Sequence, residues 1–215
     1  MPSPSTMLVF AGAAFVLCAI PGPAVIYIVT RGVESGRRAA LASVLGIHVG
    51  TCVHITAAVV GLSALLMSSA AAFSVIKYVG AAYLIVLGAQ RLLRGSRTEF
   101  DVVAPSGERE LGPVFRQAIV VESLNPKTAL FFLAFLPQFV DPSRAVAPQI
   151  ALLGLVWLVV GLFSDSCWGV LAGGLGGALR RSARFPWIER FAAGGALIGL
   201  GVAAAFTGRR TLHAR

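Results

Sequence analysis

Residues 18–32 read CAIPGPAVIYIVTRG. They belong to an apolar run, Met7 to Thr30, that holds no charged side chain and is long enough for a bilayer-spanning helix, which needs about 20 such residues. Pro21, Gly22 and Pro23 interrupt it. A proline inside a helix removes one backbone hydrogen bond and clashes with the preceding turn, at a cost of ~3 kcal/mol. In hydrocarbon the freed carbonyl has no water to bond. Such a break persists where protein or a water-filled cavity covers it. The stretch therefore predicts a membrane helix in two pieces that meet at an internal cavity.

The remainder of the 215-residue chain has the same character. It is 57% hydrophobic and 13% charged, against about 45–50% and about 25% in soluble domains, and its mean hydropathy is +0.83. Lipid is the solvent this implies. A formal net charge of +9 raises nucleic acid as a partner, but nucleic-acid binders set their basic residues in polar, solvated surroundings. Here most of the basic residues lie between apolar runs, the pattern of basic loops in a membrane protein, so nucleic acid is not expected. Cys18, Cys52 and Cys167 stand far apart inside apolar runs, with no CxxC spacing. They read as small buried hydrophobes, neither a disulfide framework nor a metal site. No Lys or Arg precedes Arg31, so the N-terminus lacks the positive start of a secretory signal and reads as an uncleaved first span.

Hydropathy predicts an all-α polytopic membrane protein of six spans: Met7–Thr30, Ala39–Leu66, Ser69–Gln90, Gln117–Val140, Ala147 to about Gly173, and Phe191–Thr207. Residues 91–116 form a loop of mixed charge, and residues 209–215 a tail. The loops after spans one, three and five carry Arg31, Arg37, Arg38, Arg91, Arg94, Arg97, Arg109, Arg116, Arg180, Arg181, Arg184 and Arg190; the other side carries Arg144, Arg209, Arg210 and Arg215. Basic loops stay in the cytoplasm, which places both termini outside; the basic tail GRRTLHAR runs counter to this. Three spans lie in each half, residues 1–90 and 117–208. Three is odd, so matching halves would insert in opposite senses, as in the inverted repeats of secondary transporters.

The second half carries a break of its own, in LNPKTALFFL, where span four opens that half as span one opens the first. Asn125-Pro126 is an N-cap followed by proline at the first helical position, and Gly22-Pro23 is a weaker version of the same signal. A helix start exposes free N–H groups and partial positive charge. Two starts converging at mid-membrane would receive a carboxylate, and Lys127 would add a full charge. The alternative is a pair of proline kinks without a ligand. Charged groups within spans tend to be functional. Glu122 and Asp165 are read as carriers of the coupling proton or holders of a substrate ammonium, the alternative being a structural Asp165–Lys127 pair. Lys77 reads as a side chain reaching the interface. His48 and His54 lie in span two with Thr51 between them, and His48 shares a face with Thr51; packed, hydrogen-bonded histidines are the ordinary reading and a proton relay the other. Gly46/Gly50, Gly169/Gly173 and Gly195/Gly199 allow close helix packing, within the chain or between copies.

PGPAVIYIV, SLNPKTALFFLAFLPQFVDP and VIKYVGAAYLIVLGAQRLLR together resemble the signature stretches of the LysE/RhtB family of amino-acid exporters. The likeness runs from Met7 to about Phe206. It implies six helices in two inverted repeats, often dimeric, in the cell membrane, exporting amino acids or their derivatives against protons, with no cofactor. Pro21, Gly22, Pro23, Asn125, Pro126 and Lys127 carry over as family positions. A metal-ion exporter on the same scaffold is the second reading, but clustered soft or carboxylate ligands are not evident beyond His48, His54 and scattered cysteines. An intramembrane enzyme would need a nucleophile with its base or a motif such as HExxH; Ser123 and Ser166 adjoin carboxylates, but no histidine stands near either in sequence.

Overall fold

A computed structural model describes residues 2–62 and 110–181, together with scattered helical positions between 75 and 93 and between 191 and 202. The third and sixth expected spans lie outside these residues except at those scattered positions; Lys77, residues 94–109 of the expected loop and the tail lie outside altogether. The described residues are helical, with no strand among them.

Helix α1 (Pro4–Ala19) opens on Ser3, whose hydroxyl accepts the Thr6 amide at 3.1 Å, with Pro4 at the first helical position. It stops at Ile20, and α2 (Pro23–Ala57) begins after the extended Gly22. Helix α2 is not one rod. Gly36 has φ +80° and ψ −177°, a backbone region open essentially to glycine alone. Residues 28 and 44 would stand about 24 Å apart on a straight helix, yet both pack beside Gly169. The chain therefore doubles back at Gly36 into two arms, 23–35 and 37–57. The connector expected around Arg31–Arg38 is thus helical on both sides of a one-residue turn. Wider helical turns follow at Ala58–Leu62.

The second described block starts at α3 (Leu111–Ser123), breaks at Leu124–Asn125, and restarts as α4 (Pro126–Leu130). Helical turns continue through Phe131–Phe135 and Leu136–Phe139. Helix α5 (Val146–Arg181) completes the described set. Between them Asp141 turns the chain: its backbone exchanges bonds of 2.9 Å with the Gln149 amide, and the Ser143 hydroxyl and then its amide hold the Asp141 carboxyl below the usual carboxylate range.

Pro23–Gly61, Leu111–Phe139 and Val146–Gly173 are long and apolar enough to cross a membrane; Pro4–Ala19 is apolar but shorter. The outward faces are apolar too: Leu8, Val120, Leu124 and Phe163 are all more than half exposed. In water such a surface would drive association; in lipid it is the ordinary exterior.

Helix α2 packs against α3 and α5, and α1 packs against α5. Glycine sets the closeness. A Cβ on Gly50 would stand 2.7 Å from the Glu122 Cβ, and one on Gly173 would stand 2.8 Å from the Arg37 Cα. Added Cβ atoms at Gly195 and Gly199 meet nothing within 4 Å among the described residues. Two buried clusters result. One gathers Phe10, Leu17, Phe131, Phe132, Phe135 and Trp157 toward the start of α1; the other gathers Tyr27, Ile28, Val44, Ile47, Val114 and Ala118 toward the Gly36 turn. The two helix breaks lie between them.

Candidate functional site

Each break leaves carbonyls without their helical donors, and the bonds that replace them tie the breaks together. In an unbroken helix the Ile20 carbonyl would accept the Ala24 amide. Here it accepts Lys127 Nζ at 2.7 Å, a donor from the second block. Pro126 has no N–H to give Glu122, four residues earlier. The Glu122 carbonyl accepts instead His54 Nε2 at 2.7 Å and the Asn125 amide at 2.9 Å. So the first break is satisfied by Lys127 and the second by His54, from the first block. A buried carbonyl left unpaired costs ~1–3 kcal/mol, which is why this exchange holds the two breaks at a common level.

Around them lies a cavity of about 30 Å³, lined by Cys18, Gly22, Ala24, Val25, Ile47, His48, Thr51, Glu122, Asn125, Lys127, Thr128, Trp157, Gly161 and Asp165. That is room for about two waters. The two helix starts differ. At α4 the Asn125 side chain accepts the Lys127 amide at 3.1 Å, so this start is capped by its own residue. At α2 the cap is Gly22, which has no side chain to offer, and Ala24 and Val25 just inside it line the cavity. The sequence expectation of two open starts is narrowed to one. A Cβ on Gly22 would stand 3.0 Å from Lys127 Cδ and 3.3 Å from its Nζ, so the bare glycine keeps the ammonium beside that start.

Two carboxylates also line the cavity. Glu122 is 3% exposed; Asn125 Nδ2 donates to its Oε2 at 2.8 Å, and the Thr51 hydroxyl is shared between the Ile47 carbonyl at 3.1 Å and Glu122 Oε1 at 3.3 Å. Asp165 is 6% exposed, with His48 Nε2 at 4.0 Å from Oδ2. The His48 Nδ1 lies 2.9 Å from the Val44 carbonyl. A carbonyl only accepts, so Nδ1 carries the proton and Nε2 faces Asp165. Gly161 makes room for that ring: its Cβ would stand 3.2 Å from Nε2.

The structure thus brings Gly22, Asn125, Lys127, Glu122, Asp165 and His48 to one cavity. Pro21, Pro23 and Pro126 shape its breaks without lining it, and His54 stands behind it as a strut stacked near Phe132. Sequence reasoning missed Trp157 and Thr128 in the cavity wall; one threonine or tryptophan among many apolar residues gives no local signal. It also read Arg31 only as a loop charge, although the side chain is 2% exposed. The spacing of Tyr27 and Arg31, four apart on one helical face, was the signal available.

The profile of the LysE type translocator matches residues 15–208. The chain belongs to the LysE type translocator family. It is 32% identical over 167 residues to an uncharacterized membrane protein of Vibrio cholerae, covering 78% of this chain and 80% of that one. It is 35% identical over 152 residues to a homoserine/homoserine lactone efflux protein of Salmonella typhimurium, covering 71% and 73%. No solved structure matches. Family membership and the apolar helices make this LysE type translocator a multi-pass membrane protein, and the family and relative names indicate a transporter acting on a small molecule, not an enzyme.

Proposed function

We propose that the protein exports amino acids or close derivatives from the cytoplasm across the cell membrane, by antiport with protons. The observation that carries this reading is the uncapped start of α2 and the Lys127 ammonium sharing one buried cavity with Glu122 and Asp165. An amino acid presents a carboxylate and an ammonium a few ångströms apart. The carboxylate is held by the first-turn amides at Ala24 and Val25 and by Lys127. The ammonium turns to Glu122 or Asp165, and the carboxylate left over carries the coupling proton, with His48 beside Asp165 as its relay.

The scaffold of this reading has six spans in two inverted three-helix repeats, both termini outside, and dimerisation left to the outer faces. The paired breaks and their reciprocal struts support it, since a rocking of one triplet against the other would move both cavity walls. The cavity is too small for an amino acid, so binding requires that such a movement widen it. The Salmonella relative's name makes homoserine, which carries the carboxylate and ammonium this site takes, the first cargo to test. The metal-ion reading is not favoured: the family and relatives point to organic cargo, and among the described residues no group of three or more His, Cys, Asp or Glu is placed to hold a metal ion.

The test is counterflow of labelled amino acids into proteoliposomes, followed by uptake driven by an imposed pH gradient. Wild-type protein exchanges homoserine or a related amino acid. Asp165→Asn keeps exchange but loses its response to the gradient. No exchange across the panel contradicts transport; an unchanged gradient response contradicts the role of Asp165.

A further inference from the structure

Between the cavity and the Gly36 turn lies a polar layer that the site does not use. Tyr27 follows Pro23 by one helical turn and Arg31 by two, placing them about 6 and 12 Å along the arm at 1.5 Å per residue. Val114 and Gln117 face them from α3. The Tyr27 hydroxyl donates to the Val114 carbonyl at 2.9 Å, with Gln117 Oε1 at 3.3 Å. Arg31 Nη2 donates to the same Gln117 oxygen at 3.1 Å and Nη1 to Glu34 at 3.2 Å, and the guanidinium lies 5.0 Å from the Tyr27 ring centre. These bonds tie an arm of the first block to a helix of the second. The Gly36 end beyond them carries Arg37 and Arg38, the cytoplasmic signature. At the other end of the cavity the closure is apolar: Trp157 lines the wall, with Phe131 at 4.3 Å between ring centres.

Arg31 is unusual within this layer. It is 2% exposed, and its Nε has no hydrogen-bond partner among the described residues. A buried guanidinium can donate two parallel bonds to one carboxylate, and it holds only one bond to Glu34. A second carboxylate arriving from the cytoplasm can exchange for Glu34 and Gln117 with little change in the charge that Arg31 sees. That exchange unties the two blocks.

We propose that Tyr27, Arg31, Glu34 and Gln117 form the inner gate of the pathway, and that the carboxylate of the cargo opens it by taking the place of Glu34 on Arg31. The proposal rests on the transport reading, but its test does not require transport. Cys18 lines the cavity, while Cys52 and Cys167 are exposed on outer faces. In a Cys52→Ser, Cys167→Ser background, Cys18 is labelled with a membrane-impermeant maleimide in inside-out and in right-side-out vesicles. Tyr27→Phe and Arg31→Gln each speed labelling from the cytoplasmic face about tenfold, equivalent to ~1.4 kcal/mol, and leave labelling from the outer face unchanged. Homoserine speeds cytoplasmic-face labelling of the wild-type gate, and homoserine lactone, which lacks the carboxylate, does not. Unchanged rates in both variants, a rise from both faces, or equal effects of acid and lactone would each overturn the proposal. Absent counterflow alongside faster labelling in the variants would fault the transport reading and uphold the gate.

Discussion

Lys127 is one of the residues at which the two halves of the chain meet. Its ammonium, 2.7 Å from the Ile20 carbonyl, closes the first helix break and lies beside the open start of α2. Truncation removes both roles. Lys127→Ala is expected to lower counterflow by at least about tenfold and to destabilise the fold by ~1–3 kcal/mol, the cost of an orphaned buried acceptor; thermal unfolding in detergent and counterflow in proteoliposomes measure the two effects separately. The residue type and its place after Asn125-Pro126 were legible in the sequence, because a lysine within an apolar span is rare enough to stand out. Its partner was not, because the contact crosses 107 positions and depends on how two breaks come to one level. The histidines make the same point. His48 and His54 are six apart and looked alike in sequence, yet one faces Asp165 across the cavity and the other donates to the Glu122 backbone.

At the scale of elements, glycine decides where helices turn and how near they come. Gly36→Ala forces an alanine into backbone territory costing ~1–3 kcal/mol, and a lower unfolding temperature with the cavity residues unaltered is the expected result. Gly50→Val acts differently. Its side chain enters the space of the Glu122 Cβ, 2.7 Å from where the first added carbon would lie. Overpacking of this kind costs ~1–3 kcal/mol and displaces α3 together with Glu122, so exchange activity falls even in protein that remains folded. Proline and glycine punctuation made both helix breaks readable, since a chain that must satisfy its own backbone in hydrocarbon breaks a helix only where something else supplies the missing bonds. The helical arms around Gly36 were not readable in the same way: RGVESGRR stood in the loop after span one, and nothing local in it marks Gly36 as the single residue at which helix turns back on helix.

Among the described residues, apolar side chains cover the outward faces as well as filling the two buried clusters, and the polar groups gather between those clusters. The composition alone announced this, because 57% hydrophobic residues cannot be hidden in a chain of this length. What composition could not supply is the asymmetry of the two layers on either side of the cavity, aromatic toward the start of α1 and hydrogen-bonded toward Gly36. The cavity between them has room for about two waters.

Cargo is expected to bind where the bare Gly22 leaves the α2 start open beside Lys127. The direct measurement is homoserine counterflow into proteoliposomes by wild-type protein and by Gly22→Val, with unfolding temperature recorded for both. Robust exchange is expected of the wild type, and its loss in a folded Gly22→Val, whose side chain occupies the space next to the ammonium. Exchange at wild-type rate by Gly22→Val would contradict that expectation.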